Sequence, residues 1–200
     1  MLLIDIYKME TTEKLKTQNA KAKKMMLWFG IGSICMTFAG LSSAYIVSSK
    51  RADWLTQIEL PLSFTISTAI IILSSFSIYY SRKMLQENKL NLTKYFLIIT
   101  LILSFLFTYF QFKGFGEVID LGYYFTGPES SINTSYLYVL VLLHLAHLFA
   151  GIIVVIVLLI NTSMGKYSKE NSLGIELAET FWHFLDFLWI YLFLFVSFYN

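Results

Sequence analysis

Residues 135–160 read SYLYVLVLLHLAHLFAGIIVVIVLLI, a run with no Asp, Glu, Lys or Arg. A hydrocarbon core of about 30 Å is crossed by about 20 apolar residues at roughly 1.5 Å of rise each, so this run makes one membrane span with length left for tilt. Four more runs meet the same criterion: residues 25–48, 60–80, 95–112 (the shortest) and about 177–198. Pro61 stands in the first turn of the second, where its missing N–H costs no helical hydrogen bond. The expected fold is an all-α integral membrane protein, a bundle of five transmembrane helices over residues 25–200 behind a polar tail of residues 1–24.

Composition agrees. Of the 200 residues, 56% are apolar or aromatic and 14% charged, against roughly 45–50% and 25% in soluble domains. A net charge of +2, with Lys and Arg dispersed between apolar runs, leaves no basic face for nucleic acid. The single cysteine, Cys35, excludes an intramolecular disulfide, a CxxC pair, a CxxCH haem attachment and a two-cysteine copper site. Residues 1–24 open with a short apolar stretch and then turn polar and Lys-rich, the reverse of a cleavable signal peptide. They are expected to be a cytoplasmic tail starting at Met1 or Met9.

Positive residues set the orientation. Lys8, Lys14, Lys16, Lys21, Lys23 and Lys24 precede the first span, Arg82, Lys83, Lys89 and Lys94 follow the second, and Lys166 and Lys169 follow the fourth. Only Lys50, Arg51 and Lys113 fall on the other side. The N-terminus is therefore expected inside and the C-terminus outside. The connection of residues 113–134, with Gly114, Gly116, Gly122, Gly127 and Pro128, reads as a structured outer loop.

Ionisable residues within spans are expensive and mark function by default. His144 and His147 share one face of the fourth span, and Gly151 follows on that face, where a glycine lets another backbone or a lipid chain come close. In the fifth span Glu176, Glu179, His183 and Asp186 fall within an arc of roughly 80°. Asp186 lies about ten residues, or roughly 15 Å, deeper than Glu176, with His183 at i−3 as its nearest local partner.

These groups admit three readings. They hydrogen-bond one another between the fourth and fifth helices and fix their register. Two histidines on different helices, such as His144 with His183, ligate a haem b. HxxH and HxxD together hold a metal, at spacings that match no common zinc signature. A small transporter is a further class, although no inverted pair of broken spans is present. No nucleophile with a base, phosphate loop or acid–base carboxylate pair is visible. Aromatic residues such as Trp28, Trp54, Tyr79, Tyr80 and Tyr199 lie at span ends, where rings favour the interface.

Residues 176–200 read ELAETFWHFLDFLWIYLFLFVSFYN. Trp182, His183, Phe184, Asp186 and Trp189 stand at the spacing of the WHFxDxxW signature of subunit III of haem-copper respiratory oxidases, which this chain resembles. His144-Leu145-Ala146-His147 with Gly151 is similar to that family's HGLHxxxG stretch, and Glu176 precedes the signature histidine by seven residues, as in the family. Leu60-Pro61-Leu62 and Gln111 extend the likeness over residues 27–200. The larger members have seven helices, and this chain resembles the last five, the size of some bacterial forms. Many members carry a carboxylate near the positions of Ser33 and Ile34, where this chain has none, so proton collection by such a group does not transfer to it.

The resemblance implies a subunit with no catalytic, cofactor-binding or metal-ligating residue of its own. Haems and copper would reside on partner subunits: the catalytic subunit I, with subunit II, small subunits and a larger respiratory supercomplex around it. It implies support of proton uptake and turnover stability, bound phospholipid, and a donor that is cytochrome c or, alternatively, a quinol. His144, His147, Glu176, His183 and Asp186 would form a structural polar seam, Gly151, Trp182, Phe184 and Trp189 would pack the signature, and Arg82, Lys83 and Lys166 would meet lipid headgroups. A Lys-, Ile-, Phe- and Asn-rich chain without a transit peptide points to a bacterial cell (inner) membrane.

Overall fold

The computed structural model describes residues 2–51, 54, 60–127, 130–169 and 171–199, with side chains from residue 13 onward. Five helices account for most of the chain: α1 Leu2–Ser48, α2 Leu62–Gln86, α3 Leu90–Asp120, α4 Ile132–Ser163 and α5 Leu173–Phe198. All five are long and apolar enough to cross a membrane. The chain divides into two compact units, Met1–Met36 and Thr37–Asn200. The first unit is helical from Leu2 onward. Its polar stretch is rich in Lys, a residue that favours helix whether or not lipid surrounds it.

In the second unit, α2, α3, α4 and α5 form a ring in which each helix packs on its two neighbours. The last part of α1 joins this core through aromatic edges. Phe38 approaches the His147 ring at 5.9 Å, and Tyr45 contacts Tyr136 and Phe195 at 5.8 and 5.3 Å. Many outward side chains are large and apolar, including Phe76, Phe105, Phe149 and Phe187, as expected for helices facing lipid tails or the helices of a partner.

Helix ends follow local chemistry. α2 and α3 are joined by a three-residue turn in which Asn88 adopts φ 59°, a left-handed conformation that asparagine tolerates. The N–H of Lys89 then returns to the Met84 carbonyl at 2.9 Å. In the same turn the Lys89 ammonium bonds Glu87 at 2.6 Å and holds that carboxyl below its usual range. α4 begins with a capping box: the Ser131 side chain accepts from the Thr134 N–H, and the Thr134 side chain accepts from the Ser131 N–H.

The connection of residues 113–134 is not all loop. α3 continues to Asp120, and α4 starts at Ile132. Gly114, which reads as a turn former, lies inside α3 against the Phe64 ring of α2, where a Cβ would meet ring carbons at 3.0 Å. It is a close-approach residue and not a breaker. Gly122, at φ 85°, ends the helix, with the Tyr123 N–H bonded to the Val118 carbonyl. Pro128 lies outside the described residues.

Candidate functional site

The signature run places Trp182, Leu185, Asp186 and Trp189 on the buried side of α5. Trp182 and Trp189 are 1% and 2% exposed, which removes each indole N–H from any solvent partner. Both are satisfied by α2. Trp182 Nε1 donates to Ser74 Oγ at 3.0 Å, and Trp189 Nε1 donates to Thr68 Oγ1 at 2.9 Å. In a low-dielectric interior an orphan N–H is costly, so these two bonds fix α5 against α2 in rotation and in height. Phe184 is partly buried against the same core.

The polar seam continues along this contact. Arg82 Nη1 of α2 donates to Glu179 Oε2 at 2.6 Å, with side-chain exposures of 33% and 5%. Glu179 Oε1 lies 3.7 Å from His183 Nε2. His183 Nδ1 shares a hydrogen bond of 2.6 Å with the Ser75 hydroxyl. Ser75 also faces the Asp186 carboxyl, although neither oxygen of Asp186 has a partner in hydrogen-bonding geometry among the described residues. Arg82, Glu179, His183, Ser75 and Asp186 thus descend in order from the α2 C-terminal end toward the middle of the helices.

This arrangement corrects the expected pairing. Glu179 and His183 of the fifth span bond to α2, not to the fourth-span histidines, and His183 bonds Ser75 and approaches Glu179 instead of serving as the hydrogen-bond partner of Asp186. His147 Nδ1 donates to the Leu143 carbonyl of its own helix at 2.8 Å. His144 is fully buried, its ring 5.2 Å from Trp189 and 6.1 Å from Phe107, and neither of its nitrogens has a hydrogen-bond partner among the described residues. The three histidines thus have different surroundings, and among the described residues no three His, Cys, Asp or Glu side chains come together as metal ligands. Glu176 is half-buried in the first turn of α5. Arg82, expected at a lipid headgroup, is engaged by Glu179, whereas Lys83 and Lys166 are exposed.

Gly151 behaves as expected of a close-approach residue. A Cβ there would lie 2.9 Å from Leu185 Cδ1 and 3.3 Å from Trp182 Cζ3, so α4 meets the signature face of α5 at this glycine.

The residues that sequence reasoning passed over are the hydroxyls of α2. Ser63, Ser67, Ser74, Ser77 and Ser81 are buried at spacings of four, seven, three and four, a helical period visible in the sequence itself. Beyond the Ser74 and Thr68 bonds, Ser67 accepts from Gln111 Nε2 at 2.8 Å, Ser63 donates to Glu117 at 2.7 Å, and Ser77 donates to the Phe96 carbonyl at 2.9 Å. α2 is thereby zipped to α3 on one side and to α5 on the other.

The fold is a helical membrane bundle in which α5 is fixed to α2 by the indoles of Trp182 and Trp189 and by the Arg82–Glu179 pair. The sequence model of the cytochrome c oxidase subunit III family matches residues 24–200, and the chain belongs to that family. It is 28% identical over 186 residues to the probable quinol oxidase subunit 3 of Staphylococcus haemolyticus, covering 89% of each chain. It is 30% identical over 183 residues to the cytochrome bo(3) ubiquinol oxidase subunit 3 of Buchnera aphidicola, covering 88% of this chain and 87% of the relative. It is also 30% identical over 163 residues to the cytochrome c oxidase subunit 3 of Thermostichus vulcanus, covering 79% and 78%. The chain is an integral membrane protein and a subunit III of a haem-copper oxidase complex.

Proposed function

We propose that the chain is the non-catalytic subunit III of a cytochrome c oxidase working in aerobic respiration in a bacterial cell membrane, with its N-terminus inside and its C-terminus outside. It packs on the flank of the catalytic subunit I, in a complex with subunit II and small subunits that stands alone or, alternatively, within a larger respiratory supercomplex. It carries no redox centre of its own, and the haems and copper reside on its partners. The observation that carries this reading is the use of the signature: Trp182 and Trp189 spend their polar atoms on α2 hydroxyls inside the chain, which is the chemistry of a scaffold.

The scaffold holds phospholipid, with Lys83 and Lys166 available to headgroups, and sustains proton uptake and turnover stability in the catalytic subunit. A quinol donor is favoured as the second reading by the Staphylococcus and Buchnera relatives, which are named as quinol oxidase subunits. The test compares the oxidase purified with and without this chain. Loss of the chain is expected to leave the initial oxygen-reduction rate near normal and to shorten the number of turnovers before inactivation. Equal turnover lifetimes would contradict the proposal.

A further inference from the structure

Between α2 and α5 lies a groove of about 480 Å³, within the size range of small-molecule sites. Ser75, His183 and Asp186 supply its polar part, and Phe76, Tyr79 and Phe187 its aromatic walls. Asp186 is 3% exposed, and among the described residues neither of its carboxyl oxygens has a hydrogen-bond partner. A buried carboxyl without a partner is costly in either protonation state. The His183 side chain, 39% exposed, gives the same polar cluster an accessible edge.

The depth of this cluster selects the occupant. Asp186 lies seven residues beyond Glu179, about 10 Å further along the helix, and so below the level where Arg82 and Lys83 could greet a charged headgroup. A phosphate drawn down to Asp186 would also leave those cations and meet the carboxyl groups of Glu179 and Asp186. The fitting molecule carries neutral hydroxyl or carbonyl groups into the hydrocarbon on a flat ring, because flat rings pack on Phe76, Tyr79 and Phe187 in offset or edge geometry. Ile72 and Ile190, also in the lining, suit an apolar tail. We propose that this groove binds the ring of an isoprenoid quinone or quinol, with a ring oxygen at Asp186, Ser75 and His183. The site is independent of which electron donor the oxidase uses, and no electron transfer is assigned to it.

The experiment uses the intact oxidase complex in detergent, depleted of endogenous quinone, and an azido-substituted decylubiquinone photolabel mapped by mass spectrometry. Label is expected on the α2 and α5 peptides that contain Phe76, Tyr79 and Phe187, reduced at least tenfold by excess decylubiquinone and unaffected by excess dioleoylphosphatidylglycerol. Ile72→Trp, at a partly exposed position of the rim, is expected to abolish the label by filling the groove while the complex still assembles. Asp186→Leu is expected to raise the half-competing decylubiquinone concentration about tenfold. Label confined to the catalytic subunit, as when a partner helix fills the groove, would overturn the proposal. Displacement by the phospholipid as effective as that by decylubiquinone would also overturn it, and so would label that persists in Ile72→Trp.

Discussion

Removing either end of the Arg82–Glu179 pair should destabilise the bundle unequally. Arg82 Nη1 and Glu179 Oε2 are 2.6 Å apart. With charge centres about 4 Å apart and an effective dielectric near 20, the attraction is about 4 kcal/mol. Because a third of the Arg82 side chain is exposed, screening reduces the expected coupling to about 2 kcal/mol. Arg82→Ala strands a carboxylate that is 5% exposed, with His183 at 3.7 Å, and should cost about 3 kcal/mol. Glu179→Ala leaves a guanidinium that can turn toward water or headgroups, and should cost about 1.5 kcal/mol. The double variant should therefore lie close to the costlier single one. Reversible unfolding of the isolated chain in SDS-containing mixed micelles, run as a double-mutant cycle, measures all four corners. A coupling below about 0.5 kcal/mol, or a larger loss from Glu179→Ala than from Arg82→Ala, would mean that Arg82 does not hold the Glu179 carboxylate in the bundle.

Thr68→Val and Ser74→Ala each strand one indole N–H in the interior and should cost about 1–3 kcal/mol in the same assay. The two sites are almost two helical turns apart, so their losses should add, and sub-additive losses would mean that the tryptophans find another acceptor. Gly151→Ala should be nearly neutral, since its Cβ meets the flexible tip of Leu185 and alanine favours helix, whereas Gly151→Val should cost about 1–3 kcal/mol by pressing on Trp182. A near-neutral valine variant in the micelle assay would show that α4 and α5 are less closely packed there. In a Cys35→Ser background, Lys83→Cys and Lys169→Cys should react with a membrane-impermeant maleimide only from the cytoplasmic side, and Lys50→Cys only from outside. The opposite pattern would reverse the proposed orientation.

The spans were legible because an apolar run of about 20 residues is a direct physical requirement of the bilayer. Helix ends were not, because residues 2–24 and 113–120 are helical for reasons that hydropathy does not register: intrinsic propensity in the first case, and the packing of Gly114 on Phe64 in the second. The stripe Glu179, His183 and Asp186 could be read from helical periodicity, yet its partner helix could not. A single sequence says which residues share a face and not which neighbour that face meets. The hydroxyl period of α2, from Ser63 to Ser81, was the available clue. Its Ser74 takes the indole N–H of Trp182, and Thr68 beside Ser67 takes that of Trp189, because hydrocarbon offers an N–H no other acceptor. His144 shows the opposite case: its burial between Phe107 and Trp189 depends on three helices meeting, which no local pattern encodes.

Whether the redox centres lie on the partners of this chain is decided by isolating the tagged chain in a gentle detergent. Its partners would be identified by mass spectrometry, and a reduced-minus-oxidised spectrum would be recorded before and after they are stripped away. A scaffold subunit gives a haem signal that leaves with a large membrane subunit and a stripped chain that is spectrally silent. Haem retained by the stripped chain would contradict that role and make this chain itself the redox protein.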